Sequence, residues 1–280
     1  MRATRLLGGG AALLAVLIVL AVAGPALAPY DPASQVSPPF SPPGAGHVLG
    51  TDDVGHDILS QLLAGARASL LVGTMAATTA MLVGVTVGLT AGLSGGAADF
   101  VLMRLVDVML TLPFLPLAIV VSVFAGPGIG TEIAVIGLVL WARTARVLRA
   151  QVLAIRGQEY VVGARAIGAG TPRVLARHVL PSALPLVVPE LVRAASAAIL
   201  LESSLSFLGL GDPTVASWGT MLFYANARSA FLTDAWVWWV LPPGLCIGLT
   251  VLAFALIGFA AEERAWPQRG GWVRTPASRR

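Results

Sequence analysis

Six long apolar runs, at about 8–28, 70–93, 100–125, 131–150, 184–208 and 236–260, constrain this chain more than any other feature. A helix needs roughly 20 mostly apolar residues to cross a bilayer. Hydrocarbon leaves no backbone group unbonded, so runs this long and continuous fold as helices rather than barrel strands. Composition points the same way. Hydrophobic residues make up 56% and charged residues 11%, whereas a soluble domain carries about a quarter charged residues. The expected fold class is all-α and polytopic, with about six transmembrane helices. The fourth run is the least regular, because Arg143, Arg146 and Arg149 crowd its end.

The basic residues are all arginine, and they sort by connection. Arg2 and Arg5 precede the first run. The 143–183 connection holds Arg143, Arg146, Arg149, Arg156, Arg165, Arg173 and Arg177, and the tail holds Arg264, Arg269, Arg274, Arg279 and Arg280. In contrast, 29–66 has Asp31, Asp52, Asp53 and Asp57 with no arginine, and 209–235 has only Arg228 against Asp212 and Asp234. The positive-inside rule then places both ends and 143–183 in the cytoplasm and the alternate connections outside. This divides the chain into 1–28 (cytoplasmic end and first span), an external segment at 29–66, a core at 67–263 and a cytoplasmic tail at 264–280. The first run also has the layout of a secretory signal, with Ala26-Leu27-Ala28 as a cleavage site. Its apolar stretch exceeds the roughly 7–15 residues of a signal core, which favours a retained span.

The stretch Glu159–Pro181, EYVVGARAIGAGTPRVLARHVLP, is polar, yet it lies between two apolar runs. Thr171-Pro172 reads as a helix start, since Thr caps and Pro suits the first turn. Pro181 reads as that helix's end, because the residue before proline avoids helical geometry. With Gly168 and Gly170 between, the expectation is two short helices joined by a glycine turn. Val174, Leu175 and Val179 fall on one face, and Arg173 and Arg177 on another. Such an element either lies on anionic lipid or docks a soluble partner.

The stretch resembles the cytoplasmic Glu-Ala-Ala loop of ABC importer permeases. Val162-Gly163-Ala164 stands in the Glu-Ala-Ala place, Gly168 matches the motif glycine, and Leu180-Pro181 matches its end. Val162 and Gly163 depart from the motif; Glu159 is the nearest carboxylate. LGTDDVGHDILSQLLAGARASL (Leu49–Leu70), ILLESSLSFLGLGDPTVASWGTML (Ile199–Leu222) and PPGLCIGLTVLAFALIG (Pro242–Gly258) resemble further hallmarks of the dipeptide/oligopeptide and nickel permease family, specifically its C-type subunit. After the last span, Gly258-Phe259-Ala260-Ala261-Glu262-Glu263 departs from the family's usual Gly-Asp ending.

The resemblance implies a non-catalytic half-pore. Its partners would be a B-type permease, two cytoplasmic ATPases that use ATP and magnesium, an extracytoplasmic substrate-binding protein and membrane lipid. It also implies that Glu159, Tyr160, Ala164, Arg165, Gly168, Arg173, Arg177, His178, Leu180 and Pro181 form the ATPase-coupling loop. The cargo would be peptides or, in the same family, nickel chelates, glutathione or another small solute. The alternative from another class is a non-ABC carrier, which would show inverted halves with paired broken helices; no such repeat is visible.

No cofactor site is expected in this chain. Without lysine it cannot contain a phosphate-binding Gly-x-x-x-x-Gly-Lys loop. The arginines sort by membrane side rather than forming a nucleic-acid footprint. Three scattered histidines and the lone Cys246 offer no metal cluster, and Asp52, Asp53 and Asp57 lack the spacing of a calcium loop.

Charges within spans are costly and therefore informative. Arg104–Asp107 and Glu190–Arg193 have the i,i+3 spacing of pairs on one helix. Glu202 has no arginine three or four residues away. It needs a partner on another helix or faces a water-filled path, in which case Glu202, Ser203 and Ser206 would line the translocation path. Pro113, Pro116, Pro242 and Pro243 interrupt spans as packing kinks or hinges. Gly84, Gly88 and Gly92 imply a close helix contact, with the partner permease as one candidate.

Overall fold

The computed structural model describes residues 2–265; the tail expected at 264–280 lies almost entirely outside the described residues. The helices are α1 (Arg2–Leu27), α2 (Ile58–Ser94), α3 (Gly96–Thr111), α4 (Phe114–Ala125), α5 (Ile129–Arg156), α6 (Glu159–Ala166), α7 (Thr171–Val174), α8 (Leu180–Phe207), α9 (Trp218–Ala227) and α10 (Leu241–Ala265). Among the described residues no extended sheet forms, only two isolated bridges, Gln35 with His56 and Thr51 with Asp57.

Among the described residues, four helical stretches are long and apolar enough to cross a membrane: Thr4–Leu27, Ile58–Ser94, Leu175–Phe207 and Trp236–Glu263. The third expected span is not straight. It breaks between α3 and α4 with a bend of 94°, because Pro113 forces Leu112 into an extended conformation (φ −77°, ψ 134°). The fourth, α5, has 28 residues, or about 42 Å of helix, but too many charges to count as an apolar span. Its arginines are answered by α3. Arg149 donates to Asp99 from Nε (2.5 Å) and Nη2 (2.6 Å), and Arg146 pairs with Asp107. The expected Arg104–Asp107 pair therefore does not form. Asp107 is engaged by Arg146 from α5, and Arg104 lies over the Phe100 ring, 5.4 Å from its centroid.

α2 and α5 pack along a seam so close that α2 presents glycine to it. A Cβ on Gly88 would lie 2.6 Å from the Ala145 carbonyl oxygen and 2.8 Å from Leu148 Cβ; Gly84 and Gly92 abut Trp141 and Val152 in the same way. The glycine contact is thus made within the chain, not with a second permease. α1 lies against α2 and α10 and buries Leu17 and Ala21. α8 runs through the middle, against α2, α5, α9 and α10. Its Ile199, Leu201 and Leu205 join Ile58, Trp218 and Trp239 in the main core.

Pro181 does not end the helix begun at Thr171. The backbone continues through a π-helical turn at Leu175–Val179 directly into α8, with Pro181, Pro185 and Pro189 inside it. A proline lacks the N–H that would bond back four residues, and its ring crowds that carbonyl. A wide turn just upstream relieves the clash. The same device recurs at Trp236–Val240, ahead of Pro242-Pro243 in α10.

Candidate functional site

The segment expected to couple to ATPases projects from the end of α5. α6 begins after Gln158, which sits in the extended region. Gly168 then reverses the chain with φ +91°, a left-handed conformation that side chains with a Cβ adopt at a cost. The helix restarts at Thr171, whose turn is closed by the Val174 N–H donating to the Gly170 carbonyl at 3.0 Å. Gly170 therefore precedes the helix, and Thr171 is its first residue rather than its cap.

The inner face of this segment is apolar. Val161, Val174 and Val179 are fully buried against Leu148, Val152 and Ile155 of α5 and Ala183 of α8. Val174, Leu175 and Val179 thus share the face that their spacing indicates. The outer face carries Glu159, Tyr160, Arg165, Gly168, Arg173, Arg177, Leu180 and Pro181, all exposed; Ala164 and His178 are half-buried. Tyr160 and His178 tie the two arms together, with ring centroids 5.7 Å apart. At the tip, Ile167 is 89% exposed. The glycine turn therefore presents an apolar point flanked by arginines.

The opposite end of the molecule is built differently. Asp57 caps α2, accepting from the Ser60 N–H (2.8 Å) and Ser60 hydroxyl (2.8 Å) and facing His47 Nδ1 at 3.0 Å. Asp52 accepts from the N–H groups of Val54 and His56 and from Gln61 Nε2. Asp53 pairs with Arg228 at 2.7 Å. Each carboxylate is committed to a protein donor.

Glu202 lies just beneath this layer, fully buried. Ser203 Oγ donates to it at 3.1 Å and Ser206 Oγ lies 3.3 Å away; the hydroxyls of Ser69 and Ser217 also reach it. Those two serines in turn accept the backbone N–H groups of Trp218 and Thr220, both at 3.1 Å. The partner on another helix is Glu132 of α5, whose Oε1 is 3.0 Å from the same Ser206 hydroxyl. The Ser206 hydroxyl thus sits between the two carboxyl groups and links α5 to α8. The void among these groups is about 10 Å³, at the lower limit for a single water. Glu202, Ser203 and Ser206 are thus brought together as a hydrogen-bonded knot joining α2, α5, α8 and α9. Glu132 was not singled out from the sequence; its only signal was a lone acidic residue in the first turn of an apolar helix. Next to the knot, outside the helices, the Thr214 hydroxyl (2.6 Å) and N–H (2.9 Å) hold the Asp212 carboxyl below its usual range.

Residues 84–264 match the family described as binding-protein-dependent transport system inner membrane component. The chain belongs to this family. It is 37% identical over 270 residues to the dipeptide transport system permease protein DppC of Bacillus subtilis, covering 96% of this chain and 83% of that one. It is 42% identical over 261 residues to the Escherichia coli protein of the same name, covering 90% and 86%. To the di/tripeptide transport system permease protein DppC of Pseudomonas aeruginosa it is 39% identical over 268 residues, covering 93% and 87%. The chain is therefore a multi-pass inner-membrane permease subunit of an ABC importer. It is non-catalytic and needs no cofactor of its own; such permeases work with a second permease, ATPases and a binding protein.

Proposed function

We propose that this chain is the C-type half of the translocation path of an ATP-driven importer of dipeptides and other short peptides. The observation that carries this reading is its 37–42% identity, over 90–96% of its length, to three permeases named for dipeptides or di/tripeptides. Its partners are a B-type permease, two cytoplasmic ATPases that bind ATP and magnesium, an extracytoplasmic binding protein and the surrounding lipid. Both ends and 143–183 are cytoplasmic, 29–66 and 209–235 external, and the first span is retained. The arginine distribution supports this orientation, and the burial of Leu17 and Ala21 of α1 in the common core supports α1 as part of the bundle.

The ATPase contact is the outer face of Glu159–Pro181, with Ile167 and the flanking Arg165, Arg173 and Arg177 entering a groove on the ATPase. The exposed apolar tip on an otherwise supported turn supports a docking element. Co-expression with the neighbouring transport genes tests the reading. The expected result is co-purification with a second permease and ATPases, and binding-protein-dependent uptake of a labelled dipeptide. An assembled complex that takes up glutathione or a nickel chelate but no dipeptide would remove the peptide assignment. Orientation is checked by Arg173→Cys and Ala45→Cys in a Cys246→Ala background. An impermeant thiol reagent added to intact cells should label position 45 and not 173.

A further inference from the structure

Arg143, Glu190, Arg193 and Glu262 gather in one groove beside α5 and α8. Two cavities are stacked along it. The first, about 260 Å³, lies where the chain bends between α3 and α4 and is lined by Leu112, Phe114, Arg143, Thr144, Glu190 and Arg193. The second, about 670 Å³, continues toward the coupling segment and is lined by Gln151, Ala154, Leu186, Glu190, Arg193 and Glu262. Only Glu190 and Arg193 belong to both. Arg193 Nη1 lies 3.7 Å from Glu190 Oε1, and its guanidinium also pairs with Glu262 of α10. An ion-paired cluster therefore forms the partition between the two chambers.

Three features identify what the first chamber is for. Glu190 is ten residues beyond Leu180 and seventeen before Phe207, hence about 15 Å and 25 Å from the ends of its helix. Charged groups so far inside a spanning helix face a bundle interior or a water-filled cavity rather than lipid. Second, Arg143 is exposed and has no carboxylate within ion-pair distance among the described residues, while Glu190 on the facing helix is nearly buried and shares Arg193 with Glu262. The chamber thus offers an unpaired cation opposite an anion that is only partly neutralised. Third, its size is small. A dipeptide extends to about 7 Å at 3.3–3.6 Å per residue, and 260 Å³ lies just below the smallest typical small-ligand pockets, about 300 Å³.

We propose that this chamber is a subsite for a zwitterionic dipeptide, in which Arg143 takes the terminal carboxylate and Glu190 the terminal ammonium. Arg193, held by Glu262, closes its floor. The guanidinium fork suits a carboxylate bidentately. An ammonium near Glu190 competes for the carboxylate that Arg193 shares, so an arriving peptide loosens the partition beneath it. The apolar wall at Leu112 and Phe114 accepts side chains without selecting among them. The assignment rests on the peptide-importer reading given above.

The test uses the whole complex, with partner permease and ATPases, in proteoliposomes without binding protein, so that recognition by the binding protein does not intervene. Ala197, a small residue on the chamber wall, is changed by Ala197→Cys in a Cys246→Ala background. Its reaction with a small water-soluble methanethiosulfonate is followed by mass spectrometry of that site. Saturating Ala-Ala should slow the reaction about tenfold or more, on the scale of losing access to a charge-assisted contact. The doubly blocked acetyl-Ala-Ala-amide should leave it unchanged. Arg143→Gln, at an exposed position that folding does not depend on, should abolish the protection, and Arg143→Lys should retain part of it. Equal protection by both peptides, or none, in a preparation whose binding-protein-dependent Ala-Ala uptake is intact overturns the subsite and leaves the importer reading standing. A cysteine at 197 that never reacts overturns it too, since the chamber is then dry. Absence of any Ala-Ala uptake by the parent complex instead removes the peptide reading, and the subsite with it.

Discussion

The two ends of the continuous helix Thr171–Phe207 both carry polar residues and put them to opposite use. At the Phe207 end, Ser203, Ser206 and Glu202 are turned inward and meet Ser69, Ser217 and Glu132. Backbone N–H groups of Trp218 and Thr220 complete the knot. At the Thr171 end, only apolar side chains such as Val174, Leu175 and Val179 are turned inward, while Arg165, Arg173, Arg177 and the apolar Ile167 face out. Buried polar groups that satisfy one another fix a single arrangement, and they leave nothing for a partner. Exposed groups on a supported turn fix little by themselves and leave everything for one. The difference separates the part of this permease that defines its shape from the part that we propose meets the ATPases.

Substitutions at each end should behave accordingly. Glu202→Leu should have the largest effect on stability, roughly 2–4 kcal/mol, because several buried hydroxyls lose their acceptor together. Thermal unfolding of the solubilised complex measures it, with Glu202→Gln as the milder control that preserves size and hydrogen bonding. A leucine variant as stable as the parent would erase the contrast between the ends. Next comes Gly88→Val, whose added carbons run into the Ala145 carbonyl and Leu148. Overpacking of this kind costs about 1–3 kcal/mol, read as a lower yield of inserted protein.

Gly168→Val sharpens the comparison from the other side. Nothing lies within 4 Å of its Cβ position, so the cost is confined to the backbone, about 1–2 kcal/mol for a left-handed residue. The permease should insert with no more than this local loss of stability, yet fail to retain its ATPases or to couple their hydrolysis to uptake. If instead Gly168→Val transports normally and Arg173→Gln with Arg177→Gln fails, the segment is a lipid anchor. The smallest effect is expected at Thr214→Val, within about half a kcal/mol as for other surface changes. Thr214 holds the Asp212 carboxyl low. The stability so gained is present above the ordinary carboxylate value, about 3.9, and is lost as pH falls through the lower folded value. Parent and variant melting curves should therefore differ slightly at neutral pH and converge in acid.

What the sequence made legible was local. The apolar runs, the glycine turn at Gly168 and the valine face of 174–179 each depend on neighbours within a turn or two. The glycine spacing at 84, 88 and 92 also declared a close contact, but not its partner, since periodicity reveals a face and never what lies against it. Other features were decided by distant competitors. Asp107 had Arg104 at hand, yet it is taken by Arg146, 39 residues away. Pro181 signals a helix end unless the preceding turn widens, and the widening leaves no mark in residue type. Glu202 declared that it needed a partner. Which one it has follows from how α5 lies against α8, and that is long-range packing.

The unbroken course of Thr171–Phe207 has a mechanical consequence. Thirty-seven residues make a rod of about 55 Å, anchored by its polar knot at one end and joined at the other to the Gly168 turn, the proposed ATPase contact. Glu190, in the partition between the chambers, stands near its midpoint. A tilt of about 10° about that point would carry each tip roughly 5 Å in opposite senses along a rod of this length. Torque applied at the glycine turn therefore has the greatest leverage on the knot and the smallest displacement at the partition. A see-saw of this kind can prise one end of the bundle while the ion pairs at its fulcrum barely shift.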